Sequence, residues 1–217
     1  MKKADIMLSI LFWTLVGLII FVPTSIFASK LFKLSSKEQN SYFKFAEIIS
    51  SLKDGEQLSS PVYMSGKSFI AGFAKGSSKF ENHQFRYSGV APTDVAFELN
   101  KPEKCANSAC MCFCNGMELD QKKKPILILC NKEPICTNFN SIDFLPEKMV
   151  RKDESGKTRV LYKGGFIFIT GFQIEGLNQN QARAFTAYVE RHKNVVDVCT
   201  ERPCITAESR QMIDSMQ

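Results

Sequence analysis

Eight cysteines are the residues of this chain with chemistry to offer, and three alternate with large apolar neighbours: Cys110-Met111-Cys112-Phe113-Cys114. In extended backbone the side chains alternate sides with period two, so the three sulfurs share one face and Met111 and Phe113 the other. Two such neighbours sit about 6.7 Å apart at Cα with parallel Cβ vectors, poor geometry for bonding one another. The three therefore need partners elsewhere, and the chain offers Cys105, Cys130, Cys136, Cys199 and Cys204. Four disulfides are one outcome. The alternative is a thiolate grip on a soft metal ion by Cys110, Cys112 and Cys114. Paired Cys-x-x-Cys knuckles are missing, and only His83 and His192 add imidazole. No Cys-x-x-Cys opens a helix to lower a thiol pKa, which sets redox catalysis last. Disulfides are the favoured reading, with no cofactor. Spacing does not choose the pairing: the loops from Cys130 to Cys136 and from Cys199 to Cys204, containing Pro134 and Pro203, either close on themselves or reach the central strand.

Other signals weigh less. His192 falls in a hairpin tip and His83 in a polar loop, Glu81-Asn82-His83-Gln84, and both are expected to be solvated. Neither stands beside a Ser or Cys nucleophile signature. Glu118 with Asp120, and Asp143 with Glu147, fall in loop-like segments with oxygens suited to calcium, yet no Asp-x-Asp-x-Asp loop supports a site. Gly66-Lys67-Ser68 and Gly156-Lys157-Thr158 mimic a phosphate loop. The leading glycine positions hold Pro61 and Arg151, and no helix signal follows either, so both read as turns. No convergent catalytic set stands out, and the expectation is a non-enzymatic protein.

The elements that must position the cysteines are strands. Phenylalanine dominates the aromatics, with 18 Phe against 5 Tyr and 1 Trp, which favours a strand-rich apolar core. Residues 62–64 and 68–73 flank Ser65-Gly66-Lys67 and read as a hairpin. Residues 85–87 and 95–99 flank a loop containing Pro92. Residues 126–130 are apolar on both faces and read as a central strand. Gly164-Gly165 separates 158–162 from 166–170, a hairpin signal. Phe185, Ala187 and Val189 alternate with polar neighbours and turn through Lys193-Asn194 into 195–199, a hairpin preferred over a helix. This series predicts a mainly β, antiparallel sandwich or barrel-like domain stapled by disulfides, over residues 56–206. One amphipathic helix precedes it within residues 30–55. Ser35-Ser36-Lys37-Glu38 opens it as a capping box, Phe45, Ile48, Ile49 and Leu52 form its apolar stripe, and Gly55 caps it. Packing onto the domain is its expected use. Residues 207–217 read as a polar, frayed tail.

Residues 6–22 carry no charge and as a helix span about 26 Å, near the lower limit for a bilayer. The apolar run continues to Ala28, so residues 1–29 read as a signal anchor holding the membrane through residues 6–28, with cleavage after Ala28 as the alternative. Lys2 and Lys3 before this segment face Lys30, Lys33, Lys37 and Lys44 after it, which argues for a cytoplasmic domain. Eight cysteines in a small β domain argue for an oxidising compartment. Long domains translocate largely regardless of flanking charge, so the cysteines decide: the domain is expected outside the cytoplasm. Setting aside Lys2, Lys3 and Asp5 leaves 26 basic and 21 acidic side chains, well interspersed. Lys122-Lys123-Lys124 reads as a solvated loop without aromatic interleaving, and a nucleic-acid partner is not expected.

Three segments carry a resemblance: Cys105 with Ser108 to Cys114, Gly164 to Phe168, and Val198-Cys199 with Pro203-Cys204-Ile205. In these the chain resembles a group of membrane-anchored, cysteine-rich proteins of small-genome archaea to which no activity is assigned. The resemblance implies a compartment and a fold style. It implies no function; the anchor, the eight cysteines and the lack of a convergent catalytic set lead instead to the expectation of display at the cell surface, in adhesion or the assembly of a complex with other surface proteins.

Overall fold

Apolar alternation through residues 57–199 becomes strand after strand in a computed structural model that describes residues 13–17, 37–64, 66–88, 91–151, 158–170, 172–174, 177–179 and 183–216. The chain divides into two units, Met1–Gln39 and Asn40–Gln217. In the first, the described residues 13–17 and 37–39 are helical. The rest of the expected anchor, like Ser35 and Ser36 of the expected capping box, lies outside the described residues. Among the described residues no helix is long and apolar enough to cross a membrane.

Helix α1 occupies residues 37–51. Its Tyr42, Phe45, Ala46 and Ile49, spaced one and two turns apart, are buried as a single stripe. The amphipathic helix thus packs into the domain's core, as the spacing predicts. It ends at Ser51, so Gly55 is not its cap: four residues on, with a φ of +75°, Gly55 sits in a turn and its N–H donates to the Arg191 carbonyl.

The strands are β1 (Gln57–Met64), β2 (Ser68–Phe73), β3 (Lys79–Ser88), β4 (Ala91–Asn100), β5 (Ala109–Asn115), β6 (Met117–Asp120), β7 (Ile126–Cys130) and β8 (Ile135–Phe139). They continue as β9 (Asp143–Phe144), β10 (Glu147–Arg151), β11 (Thr158–Lys163), β12 (Gly165–Thr170), β13 (Phe172–Ile174), β14 (Leu177–Gln179), β15 (Arg183–His192) and β16 (Val195–Cys199). A first sheet has the order β1-β15-β16-β9, a second β10-β11-β3-β4-β7-β6, and a third β12-β2-β5-β8; β13 and β14 pair alone. The mainly β class stands, but the pairing is not wholly antiparallel. β16 runs parallel to β9, and β4 runs parallel to β7.

The third sheet is covered on both faces, and every residue of β2 is buried. One face, with Ile70, Met111, Phe113 and Phe166, shares a core with α1 and with Val62, Val189 and Val196 of the first sheet. The other, with Phe69, Phe73 and the β5 sulfurs, packs on Phe80, Phe97, Leu99 and Ile128 of the second sheet. A third small cluster joins Leu145, Val195 and Ile205 to Ile213 of helix α2 (Ala207–Ser215). The tail expected to fray is therefore a helix. The Thr206 side chain caps it by accepting from the Ser209 N–H, and Ile213 is fully buried.

Two expected hairpins and one expected loop are corrected. β1 and β2 do not pair with one another: β1 pairs with β15, and β2 with β12 and β5. Pro92 lies inside β4, opposite Tyr87, rather than in a loop. Gly164-Gly165 is not a hairpin turn but the crossing from the second sheet to the third. Its φ angles are +81° and +132°, and a Cβ on Gly165 would stand 2.0 Å from the Gly72 carbonyl oxygen. Only glycine lets the chain pass that close. β7 has a strand on each side, yet one face stays open, with Ile128 buried and Leu129 41% exposed. The β15–β16 hairpin is as expected, turning at Lys193-Asn194.

Candidate functional site

β5 sits inside the third sheet between β2 and β8, and its six residues from Ala109 to Cys114 are all buried. Period-two alternation sends the sulfurs of Cys110, Cys112 and Cys114 toward the second sheet, and Met111 and Phe113 toward α1 and the first. On the latter side the Tyr42 hydroxyl donates to the Met111 carbonyl at 2.6 Å and lies 3.0 Å from Thr137 Oγ1. Burial pushes this phenol up to about 12, against the smaller pull of the Thr137 hydrogen bonds, so it stays a neutral donor.

No sulfur of the trio bonds another. Cys110 joins Cys105, Cys112 joins Cys136 and Cys114 joins Cys130, while Cys199 joins Cys204. No free cysteine remains among the described residues. Each partner of the trio lies on a different element, for a geometric reason. Cys105 ends a single 3-10 turn at Glu103–Cys105, where the chain leaves β4 and folds back onto β5. Cys136 stands directly opposite Cys112 in the β5–β8 register, with Cα atoms 4.1 Å apart. Cys130 ends β7, so its bond to Cys114 ties the third sheet to the second.

The sulfurs crowd at one end. Cys112 Sγ lies 3.5 Å from Cys105 Sγ and 3.9 Å from Cys110 Sγ. Cys105, Cys110 and Cys112 form the one cluster of possible metal ligands found among the described residues, with ligand atoms within 4.8 Å of one another. Cys114, expected in the metal alternative, is not part of it. Metal binding needs thiolates, and here every sulfur is spent in a disulfide. Beside the bridges Phe69, Phe73, Leu99, Cys112, Ile128 and Cys130 line a cleft of about 130 Å³. A drug-sized ligand needs roughly 300–1,000 Å³, so this space suits a few atoms only.

The lesser candidates are engaged with neighbours. His83 lies within β3 rather than in a loop. His192 Nε2 is 3.1 Å from Asp214 Oδ1, and Lys193 with His192 holds that carboxyl below its usual range. Glu118 accepts from Asn131, Asp120 from the Lys122 N–H, and Asp143 from the N–H groups of Lys75 and Phe144. Glu118 and Glu147 lie in β6 and β10, and Asp120 and Asp143 at strand ends, rather than in loops. The Gly66-Lys67-Ser68 fragment turns the chain into β2, and Gly156 and Lys157 lie outside the described residues. Lys122, Lys123 and Lys124 are exposed between β6 and β7, as expected.

One constellation escaped the sequence reading. Asp197, 3% exposed, sits in β16 with its Oδ2 2.5 Å from the Lys148 Nζ of β10. Lys148 also donates to the Cys204 carbonyl at 2.8 Å, and the Val198 N–H donates to Asp197 Oδ1 at 2.8 Å. Burial pushes the Asp197 carboxyl up from 3.8 to about 6 despite the Lys148 charge, and Glu190 adds to the rise. The available signal was a lone acid in the apolar run Val195-Val196-Asp197-Val198.

No family model, curated protein or solved structure matches this chain.

Proposed function

We propose that this chain is a membrane-anchored, extracytoplasmic, disulfide-stapled β domain serving adhesion or the assembly of a surface complex. The observation that carries the reading is the pairing of the eight cysteines, three from a single strand face. Such bridges form and persist in oxidising compartments. The charge-free run of residues 6–22 supports the anchor. The small cleft and the engaged state of His192 and the carboxylates support a role in contact rather than turnover. Treating intact cells with a membrane-impermeant, amine-reactive label tests the placement. Labelling of the exposed Lys122, Lys123 and Lys124 is the expected result. A domain protected until the cells are lysed would remove it.

One observation favours a second reading, a soft-metal module. Reduction of two bridges would leave Cys105, Cys110 and Cys112 close enough to share one ion, with Cys105 in the place given to Cys114. Elemental analysis of protein purified without chelator separates the two readings. Stoichiometric copper or zinc would support the metal module, and metal at background level would remove it.

A further inference from the structure

The four disulfides leave the first sheet without a covalent tie to the others: Cys112–Cys136 and Cys105–Cys110 secure the third, Cys114–Cys130 joins it to the second, and Cys199–Cys204 closes a local loop after β16. Between the first and second sheets lies the contact of Lys148, on the edge strand β10, with Asp197 on the inner strand β16. We propose that Lys148 and Asp197 condense into an intramolecular isopeptide bond that locks these two sheets together.

The geometry is that of a reacting pair. With Nζ 2.5 Å from Oδ2, a trigonal hydrogen-bonding angle at the oxygen puts the carboxyl carbon about 3.3 Å from the nitrogen, within the near-attack range of about 3–3.5 Å. The side chains are 15% and 5% exposed, so both charges are largely withdrawn from solvent. On the Asp197 face of β16, Val195 belongs to the apolar cluster closed by Ile205 and Ile213. An ion pair held there costs desolvation that its own attraction repays poorly, whereas a neutral amide does not.

Each remaining atom has a place in the reaction. The Lys148 ammonium gives a proton to the Asp197 carboxylate, leaving a neutral amine and a neutral acid. The amine lone pair attacks Cγ, and the C–O bond to Oδ2 breaks. Oδ2 leaves as water, carrying that proton and one from the attacking nitrogen. Ammonium and carboxylate thus become amide and water, with no oxidant and no co-reactant. The Val198 N–H already points at Oδ1, the oxygen that stays, and stabilises the charge that develops on it. The Cys204 carbonyl already accepts from Nζ and receives the single N–H of the product. The raised Asp197 carboxyl supports the first step, since its neutral form is accessible near neutral pH.

Glu190 is a positioning residue. It faces Asp197 across the β15–β16 register, and its Oε2 accepts from the Ile205 N–H at 3.2 Å. That N–H belongs to the same peptide group as the Cys204 carbonyl that holds the amine. Its charge also disfavours a second carboxylate beside it.

Tandem mass spectrometry of a reduced tryptic digest of the full-length chain tests the bond. The expected product is a branched peptide joining Lys148 to Asp197, lighter by one water than its two arms and uncleaved after Lys148. It is absent from Lys148→Arg, and slower to appear in freshly folded Glu190→Gln. Linear Lys148 and Asp197 peptides from the folded wild-type chain would overturn the proposal and leave a buried ion pair. Loss of water confined to a linear Asp197 peptide would overturn it too. An unchanged rate in Glu190→Gln would overturn the part given to Glu190. The wild-type digest decides even if Lys148→Arg does not fold, and it is independent of where the domain resides.

Discussion

At the scale of single residues, two positions carry more than their types suggest. Gly165 stands at the crossing between sheets with a φ of +132° and the Gly72 carbonyl where a Cβ would go. Gly165→Ala is expected to lower stability by roughly 2–4 kcal/mol, through backbone strain and a displaced β2, as read by urea denaturation. Asp197 gives a pH signature. Its folded carboxyl is raised above its unfolded value, so its contribution to stability is fully present below pH 3.8 and is lost as pH rises through about 6. In Lys148→Arg, where no amide forms, the carboxyl remains and stability should fall as pH rises through that window. Wild-type protein locked by the amide has no carboxyl at this position, and its stability should lack that slope. Denaturation curves at several pH values compare the two.

At the scale of elements, the disulfides differ in what they restrain. Cys112–Cys136 and Cys114–Cys130 close 24 and 16 residues of chain, whereas Cys105–Cys110 and Cys199–Cys204 each close 5. Loop-closure entropy predicts that replacing either long pair with alanine costs about 3 kcal/mol, against about 2 kcal/mol for a short pair. Urea midpoints of the four double variants check that order. Helix α2 is held chiefly by Ile213, buried against Leu145, Val195 and Ile205. Ile213→Ala should therefore cost about 2–4 kcal/mol and release the helix, seen as faster amide exchange across residues 207–215. A frayed tail would show neither effect. Its polar composition concealed the helix, because one buried isoleucine is too little periodicity to read from sequence.

At the scale of the whole molecule, the covered third sheet sets the order of opening. β2 and β5 have neighbours on both edges and packing on both faces, so their amides should exchange last, close to the global unfolding rate. Hydrogen exchange by mass spectrometry checks this against the edge strands β6, β8 and β10. What the sequence alone determined is what depends on neighbours along the chain. The alternation at Cys110, Cys112 and Cys114 put three sulfurs on one face and forbade bonds among them, and the spacing of Phe45 and Ile49 gave α1 its buried side. Tertiary structure decided everything that pairs distant segments. Local patterns place side chains on faces but do not name the strand across the ladder. Thus Gly164-Gly165 looked like a turn and proved a crossing, and β1 left β2 for β15. The choice of Cys105, Cys136 and Cys130 as partners came only with the fold, as did the meeting of Lys148 with Asp197. Those two residues are far apart in sequence, and packing of the sheets brings them within bonding reach.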